Sequence, residues 1–253
     1  MSQTIVFNSA KLNGALTTDM TMTFGEAVRL GDFNWEVAMI KANLWYFHFN
    51  VTSRSFVYER DDGSATDYTI NFPDGIYSVG DLNTYIRTEM KANGHSGTDA
   101  AGNDVFYISL AGNRSTGKVY LAIDNPSGVT YKAKLGEAGN IANLIGFAEA
   151  TVSTSAYGAN VADINNGVDA WQIRCDLVNG SYDNGAASEI LHQFVPRSAP
   201  GSNIEIEPIN PVYLQVNKAT ITRIRLYVTD QNGNILDLHG EDVVVMLHLR
   251  SMK

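Results

Sequence analysis

Five histidines, one cysteine and a few carboxylate pairs are the side chains in this sequence most able to do chemistry. His48, His95, His192, His239 and His248 include no pair at the short spacing from which a zinc site is built. His239 and His248 fall at the two ends of an expected strand and His48 lies inside an aromatic run, so each reads as a hydrogen-bonded histidine of a sheet. A serine nucleophile would need a Gly-x-Ser-x-Gly elbow or a comparable turn, and the chain has no such elbow. Cys175 alternates in phase with Trp171 and Ile173, which buries it, whereas a catalytic thiolate needs an exposed, electropositive setting.

The carboxylates give no stronger signal. Asp230-Gln-Asn-Gly-Asn-Ile-Leu-Asp237 looks like a calcium loop in composition. It lacks the Asp-x-Asp-x-Asp spacing and the closing bidentate Glu, and an Asn-Gly turn between two strands accounts for it. Glu205 and Glu207 are a pair of the kind that glycoside hydrolysis uses, but they alternate with Ile204 and Ile206 on the outward face of one strand. Gly136-Glu-Ala-Gly139 is too short for a phosphate loop and has no lysine. The expectation is a chain with no catalytic, cofactor-binding or metal-binding residue and no cofactor. Trp45-Tyr-Phe-His-Phe49 offers a sugar platform, an interface or core packing. Large rings on both of its faces predict that both are covered, partly by another subunit or by an inserted block.

The elements that must carry these residues are mostly strands. Thr4–Asn8 and Thr21–Arg29 are short candidates, and Trp35–Val51 is extended for most of its length on its aromatic and β-branched content. The texture changes between Ser55 and Ala150. Asp67–Phe72 reads as a strand and Pro73-Asp-Gly75 as a turn. Ser78-Val-Gly-Asp81 is a capping box opening a helix whose apolar positions are Leu82, Tyr85, Ile86 and Met90, with Gly94 placed to end it. His95–Asp104 is a polar loop. Val105–Leu110, Lys118–Asp124 and Val129–Lys134 follow as strands, and Ile141–Phe147 as a short helix ending at Gly146. Beyond the small-residue stretch Thr151–Gly167, the strands are Trp171–Val178, Ile190–Val195, Ile204–Glu207, Val212–Val216, Thr220–Thr229 and Asp242–Leu249, with Pro208 and Pro211 marking an edge or bend. The organisation expected is a sandwich made of 1–54 and 168–253, an α/β subdomain inserted at 55–150, and a linker loop at 151–167.

The net charge is −9 and no Lys/Arg cluster is present, which excludes direct nucleic-acid binding and attraction to anionic membrane surfaces. Charged residues make up 18% of the chain, below the globular average of about 25%, as suits a surface that lies against other subunits. One cysteine makes no internal disulfide. No secretory signal or membrane span is visible, so a soluble protein made in the cytoplasm is expected.

Five segments taken in order resemble a known family. Asn34-Trp-Glu-Val-Ala-Met-Ile40, Phe72-Pro-Asp-Gly-Ile-Tyr-Ser78, Leu144-Ile-Gly-Phe147, Ile173-Arg-Cys-Asp-Leu-Val178, and the pair Ile224–Gly233 with Val245-Met-Leu-His-Leu-Arg250 are similar to motifs of the single jelly-roll minor capsid (penton) proteins of virophages and polinton-like or adintovirus-type DNA viruses. Trp171-Gln-Ile stands where the family pattern is Tyr-rich, and Leu249 where it has Phe.

The resemblance implies a mainly β, antiparallel jelly-roll sandwich interrupted by a small α/β insertion. It implies a structural subunit at the five-fold vertices of an icosahedral tailless virus, self-associating as a homopentamer beside a major capsid protein, with a host receptor or spike as a further partner. The place of action is then the virion, after synthesis in the host cytoplasm. Two other readings stand beside it. One is a receptor- or glycan-binding spike module using the loops His95–Asp104 and Thr151–Gly167. The other is a sandwich-fold glycoside hydrolase resting on Glu205 and Glu207.

Overall fold

A computed structural model describes residues 2–12, 16–31 and 34–252. The chain divides into two compact units, residues 1–48 with 168–253 and residues 49–167. In chain order, the first unit opens with β1 (Ser2–Asn8), β2 (Asp19–Arg29) and β3 (Trp35–Trp45). The inserted unit follows with β4 (Ser55–Asp61), β5 (Ala65–Asn71), α1 (Val79–Ala92), β6 (Ser96–Thr98), β7 (Asp104–Phe106), β8 (Ile108–Asn113), β9 (Lys118–Ile123), β10 (Thr130–Lys134), β11 (Thr151–Val152) and β12 (Ala156–Tyr157). The first unit then resumes with β13 (Trp171–Cys175), β14 (Val178–Asn179), β15 (Ser181–Asp183), β16 (Ala186–Ser188), β17 (Ile190–Phe194), β18 (Asn203–Ile206), β19 (Leu214–Val216), β20 (Thr220–Asp230) and β21 (Val244–Ser251).

In the first unit one sheet runs β1-β21-β3-β19-β14, with β18 also paired to β3, and the other runs β17-β13-β20-β2. Every one of these pairings is antiparallel. If β18 and β19 are taken as one interrupted strand, eight successive strands give the orders 1-8-3-6 and 2-7-4-5. The chain thus passes repeatedly from one sheet to the other, which is the double Greek key of a jelly roll. The expected jelly-roll sandwich with an insertion is the architecture found, and the insertion falls between the third and fourth roll strands.

The core of the roll follows from period-two alternation. Val245, Leu247 and Leu249 of β21 and Ile224, Leu226 and Val228 of β20 point inward, where they meet Phe7, Val37, Met39, Trp171, Ile173 and Cys175. Each large side chain buried this way contributes about 1.5–3 kcal/mol. The pairing of β2 with β20 shifts register between Thr23 and Val28.

The inserted unit has its own core. A four-stranded sheet, β11-β10-β4-β5, and a three-stranded sheet, β12-β9-β8, enclose it with α1. Helix α1 begins as the sequence predicts: the Ser78 hydroxyl accepts from Asp81 N and the Asp81 carboxylate accepts from Ser78 N. It buries Leu82, Ile86 and Met90 and closes with Gly94 at φ +73, where Gly94 N donates to Lys91 O and His95 N to Met90 O.

Several expectations give way. The strand expected to run to Val51 stops at Trp45, because its neighbour β18 has its last paired residue, Asn203, opposite Trp45. Residues 46–49 are irregular, so their apolar alternation is not a strand's. Strand β4 was not legible, because Phe56, Val57 and Tyr58 are buried consecutively and show no alternation. Ile141–Phe147 is a single turn instead of a helix, closed by Gly146 at φ +74 with Phe147 N donating to Ala142 O. The loop expected at His95–Asp104 contains β6 and the start of β7, which pair as a hairpin. Where a linker is expected, at 151–167, β11 pairs with β10 and β12 with β9, so this stretch is part of the inserted unit.

Candidate functional site

The structure scatters most of the residues with chemical potential. His248 lies on β21, its Nδ1 2.8 Å from the Tyr213 hydroxyl, and Arg250 lies over the same tyrosine ring at 3.5 Å while its guanidinium pairs with Glu36 at 2.9 Å. His192, on β17, stacks on Phe194 and is pushed down from its ordinary pKa by burial. His95 is buried in the inserted unit, with Nδ1 2.7 Å from the Tyr58 hydroxyl and its ring edge-on to Tyr68 at 4.4 Å. Burial, then the nearby Arg60 charge, lowers its pKa. His239 is not at a strand end as expected; it sits in the turn before β21 at φ +54.

One juxtaposition is invisible in the sequence. His48 comes within electrostatic range of His239, Asp230 and Asp237, and burial outweighs a hydrogen bond with the Asp237 backbone and the two carboxylates to hold its imidazole below the ordinary range. No group of three or more His, Cys, Asp or Glu placed to hold a metal ion is found among the described residues.

The remaining candidates are absorbed by structure. Cys175 faces the roll core, and burial pushes its thiol up to about 12. Glu205 projects from β18 to Lys41 of β3 at 2.5 Å, and Glu207 stands 3.9 Å from the same ammonium. The two carboxylates therefore flank a cation. Asp230 Oδ1 accepts from Asn232 N (2.8 Å) and Asn234 N (2.9 Å), and Oδ2 from Asn234 Nδ2 (2.8 Å), so its own turn occupies the carboxylate. Burial raises its pKa, but these hydrogen bonds outweigh that and leave it below the usual carboxylate range. Gly136–Gly139 is a tight turn in which Glu137 O accepts from Asn140 N and Nδ2, while Gly139 O accepts from Ser55 N.

The segments that carry the family resemblance are built for packing. In Phe72–Ser78, Gly75 exchanges backbone hydrogen bonds with Val51, the Asp74 carboxylate accepts from Ser53 N at 2.7 Å, and the Tyr77 hydroxyl donates to Pro73 O at 2.9 Å. In Leu144–Phe147, a Cβ on Gly146 would collide with the Asn160 carbonyl oxygen, and Leu144, Ile145 and Phe147 are buried. Trp35 and Ile173 are buried in the roll core, as are the inward residues of β20 and β21.

The chain's two passages between units are each tied down. Within the roll, Tyr46 and His48 meet the Trp171 ring edge-on, at 5.5 and 6.4 Å. Within the inserted unit, the buried Asn50 amide accepts from Tyr77 N (2.8 Å) and donates to Tyr77 O (2.7 Å) and Ile164 O (2.6 Å). The inbound and outbound segments are thereby held side by side in both units.

The roll exposes apolar side chains in a loop and on an edge strand. The loop between β18 and β19 carries Ile209 at 95% and Val212 at 66% exposure beside Pro208 and Pro211, and Val6 is exposed on the edge strand β1. Sheet edges left unpaired and apolar are sites at which further chains add. No helix among the described residues is long and apolar enough to cross a membrane.

Fold and surface together define a jelly-roll sandwich protein with an α/β unit inserted between its third and fourth strands. No protein-family model matches the chain, and no curated protein matches it by sequence. Among solved structures the chain is similar to the mavirus penton protein, at 10% identity and TM-score 0.48 over 99% of this chain and 100% of that one. It is also similar to a chain of the Sputnik virophage structure obtained by cryo-EM, at 12% identity and TM-score 0.42 over 97% of both.

Proposed function

We propose that this chain is a structural subunit of an icosahedral viral capsid, and within it the penton protein at the five-fold vertices. The observation that carries the reading is the placement of the five resemblance segments. Each falls on a residue group that sets the roll or its insertion: the Trp35 strand, the Gly75 junction with its capped helix, the Gly146 turn, the Ile173 strand and the closing β20 and β21. A jelly roll alone supports many activities, so the fold by itself does not choose. The order of the segments and the low charge favour a shell component.

In this reading the protein works through shape and contact and is not an enzyme. The exposed apolar residues of the roll, Ile209, Val212 and Val6, meet a neighbouring copy. Identical heterologous contacts then close by rotation into a ring of five, set beside the major capsid protein. The insertion decorates the outside, where it is placed to meet a host receptor or spike. The protein acts in the virion after synthesis in the host cytoplasm.

Native mass spectrometry of the purified full chain, together with proteomics of purified particles, tests this. The expected result is an assembly of five copies and a minor, constant stoichiometry in virions. A chain that stays monomeric at all concentrations and is absent from particles overturns it.

A further inference from the structure

The inserted unit carries 13 acidic and 8 basic side chains in residues 49–167, so a cation there has carboxylates to choose from. Most of its cations are engaged. Arg60 pairs with Asp62, Lys132 and Lys134 with Glu59, and Lys134 also with Asp67. Arg54 donates to Asn140 O and Lys118 to Ala159 O.

Arg87 is different. It projects from the middle of α1 with its guanidinium over the Phe106 ring, 5.1 Å from the centroid, and its Nε is buried with no hydrogen-bond partner. It lines a recess of about 320 Å³ whose other walls are Thr84, Thr88, Lys91, Asp104 and Phe106. The one carboxylate in that wall, Asp104, is already neutralised by Lys91 at 2.5 Å. The hydroxyls of Thr84 and Thr88 donate to the helix carbonyls of Gly80 and Thr84, both at 2.9 Å, which leaves the Arg87 guanidinium and the rest of the Lys91 ammonium as donors in the wall.

We propose that this recess is a binding site for a small molecule that bears an oxyanion, a carboxylate or sulfate, next to an apolar face. The two terminal nitrogens of the planar guanidinium fit such a group with two parallel hydrogen bonds, and the Phe106 ring, 5.1 Å away, supports the guanidinium from one side. The volume lies at the lower end of the range for small-ligand pockets and suits one sugar-sized ring. Acidic saccharides are one class of molecule of that size that presents an oxyanion beside a ring face, and glucuronate is a simple member of it. The site is separate from the contacts invoked for assembly, all of which lie on the roll, so it stands or falls independently of that reading.

The test is an NMR titration of the full chain at constant ionic strength, following the backbone N–H signal of Phe106 in the recess wall, which every Arg87 variant keeps, with three probes: glucuronate, inorganic sulfate and glucose. Saturable shifts from glucuronate, with glucose at least about tenfold weaker, are expected, because the charge-assisted pair supplies most of the affinity. Arg87→Gln should weaken glucuronate binding by about tenfold or more at an unchanged melting temperature, and Arg87→Lys should fall in between, keeping the charge but losing the fork. Sulfate saturating the same signal with the same dependence on Arg87 supports the oxyanion site and assigns its ligand to a free anion. Glucose binding as well as glucuronate, no saturable shift with either anion, or unchanged binding in Arg87→Gln overturns the proposal.

Discussion

Replacing Asn50 with alanine removes one side-chain amide and three short hydrogen bonds, to Tyr77 N, Tyr77 O and Ile164 O. The site is buried, so water does not freely replace the lost partners. At about 0.5–1.5 kcal/mol per bond, the loss sums to about 2–4 kcal/mol, a large part of the 5–15 kcal/mol by which a domain is usually stable. All of it should fall on the inserted unit. The sequence provides the means to see this, since its three tryptophans, Trp35, Trp45 and Trp171, all belong to the roll. Tryptophan fluorescence in urea therefore follows the roll, while amide exchange at buried positions of α1 and β4 follows the insertion. Asn50→Ala should lower protection in the insertion by the stated amount and leave the tryptophan transition within about 0.5 kcal/mol of its original value. Asn50→Asp should be worse at neutral pH: its carboxylate still accepts from Tyr77 N but faces two carbonyl oxygens in place of donating to them. Equal shifts in both units, or an aspartate variant milder than the alanine one, would refute the idea that this amide ties the insertion's two ends together.

Three further outcomes are expected. Gly146→Ala should destabilise the inserted unit by at least about 3 kcal/mol, because the position has φ +74 and a Cβ would collide with Asn160 O; thermal unfolding measures it. Cys175, buried and with its thiol raised to about 12, should resist thiol reagents in the native chain and react fully in denaturant; rapid native labelling would show the roll core to be open. His48, His95 and His192 are all held below the ordinary histidine value by burial, so the unfolded chain binds protons first as pH falls. Stability from these groups is full above about pH 6.5 and is lost as pH drops from there through the lower folded values. Urea midpoints at pH 7.5, 6.5 and 5.5 should decline, and a His48→Gln, His95→Gln, His192→Gln triple variant should flatten that decline.

Where a strand buries one face, as β20 and β21 do, the alternation in the sequence located it to within two residues. Helix α1 was equally legible, because Ser78, Asp81 and Gly94 each perform a local backbone task. The failures share a cause. Phe56–Tyr58 is covered on both faces and so lacks a period. Phe47–Asn50 has a strand-like pattern but pairs with no strand among the described residues. β11 and β12 are two residues each and are fixed by their neighbours, not by their own composition. Long-range polar contacts were beyond reach altogether: Asn50 meets Ile164 across 114 residues, and His48 comes within electrostatic range of His239 only because the roll closes. The recess under Arg87 carries no sequence signal, since an arginine in an amphipathic helix ordinarily reads as a solvated surface residue.

Pinning both passages side by side has an evolutionary and an engineering consequence. The roll presents the two cut ends of its third and fourth strands as a socket, and whatever fills it needs only closely spaced termini. Residues 49–167 then form a cassette that can be exchanged for another module, or replaced by a short turn, without re-registering a single strand of the sandwich. Variation in the inserted unit is thus uncoupled from the strand pairing that builds the sandwich.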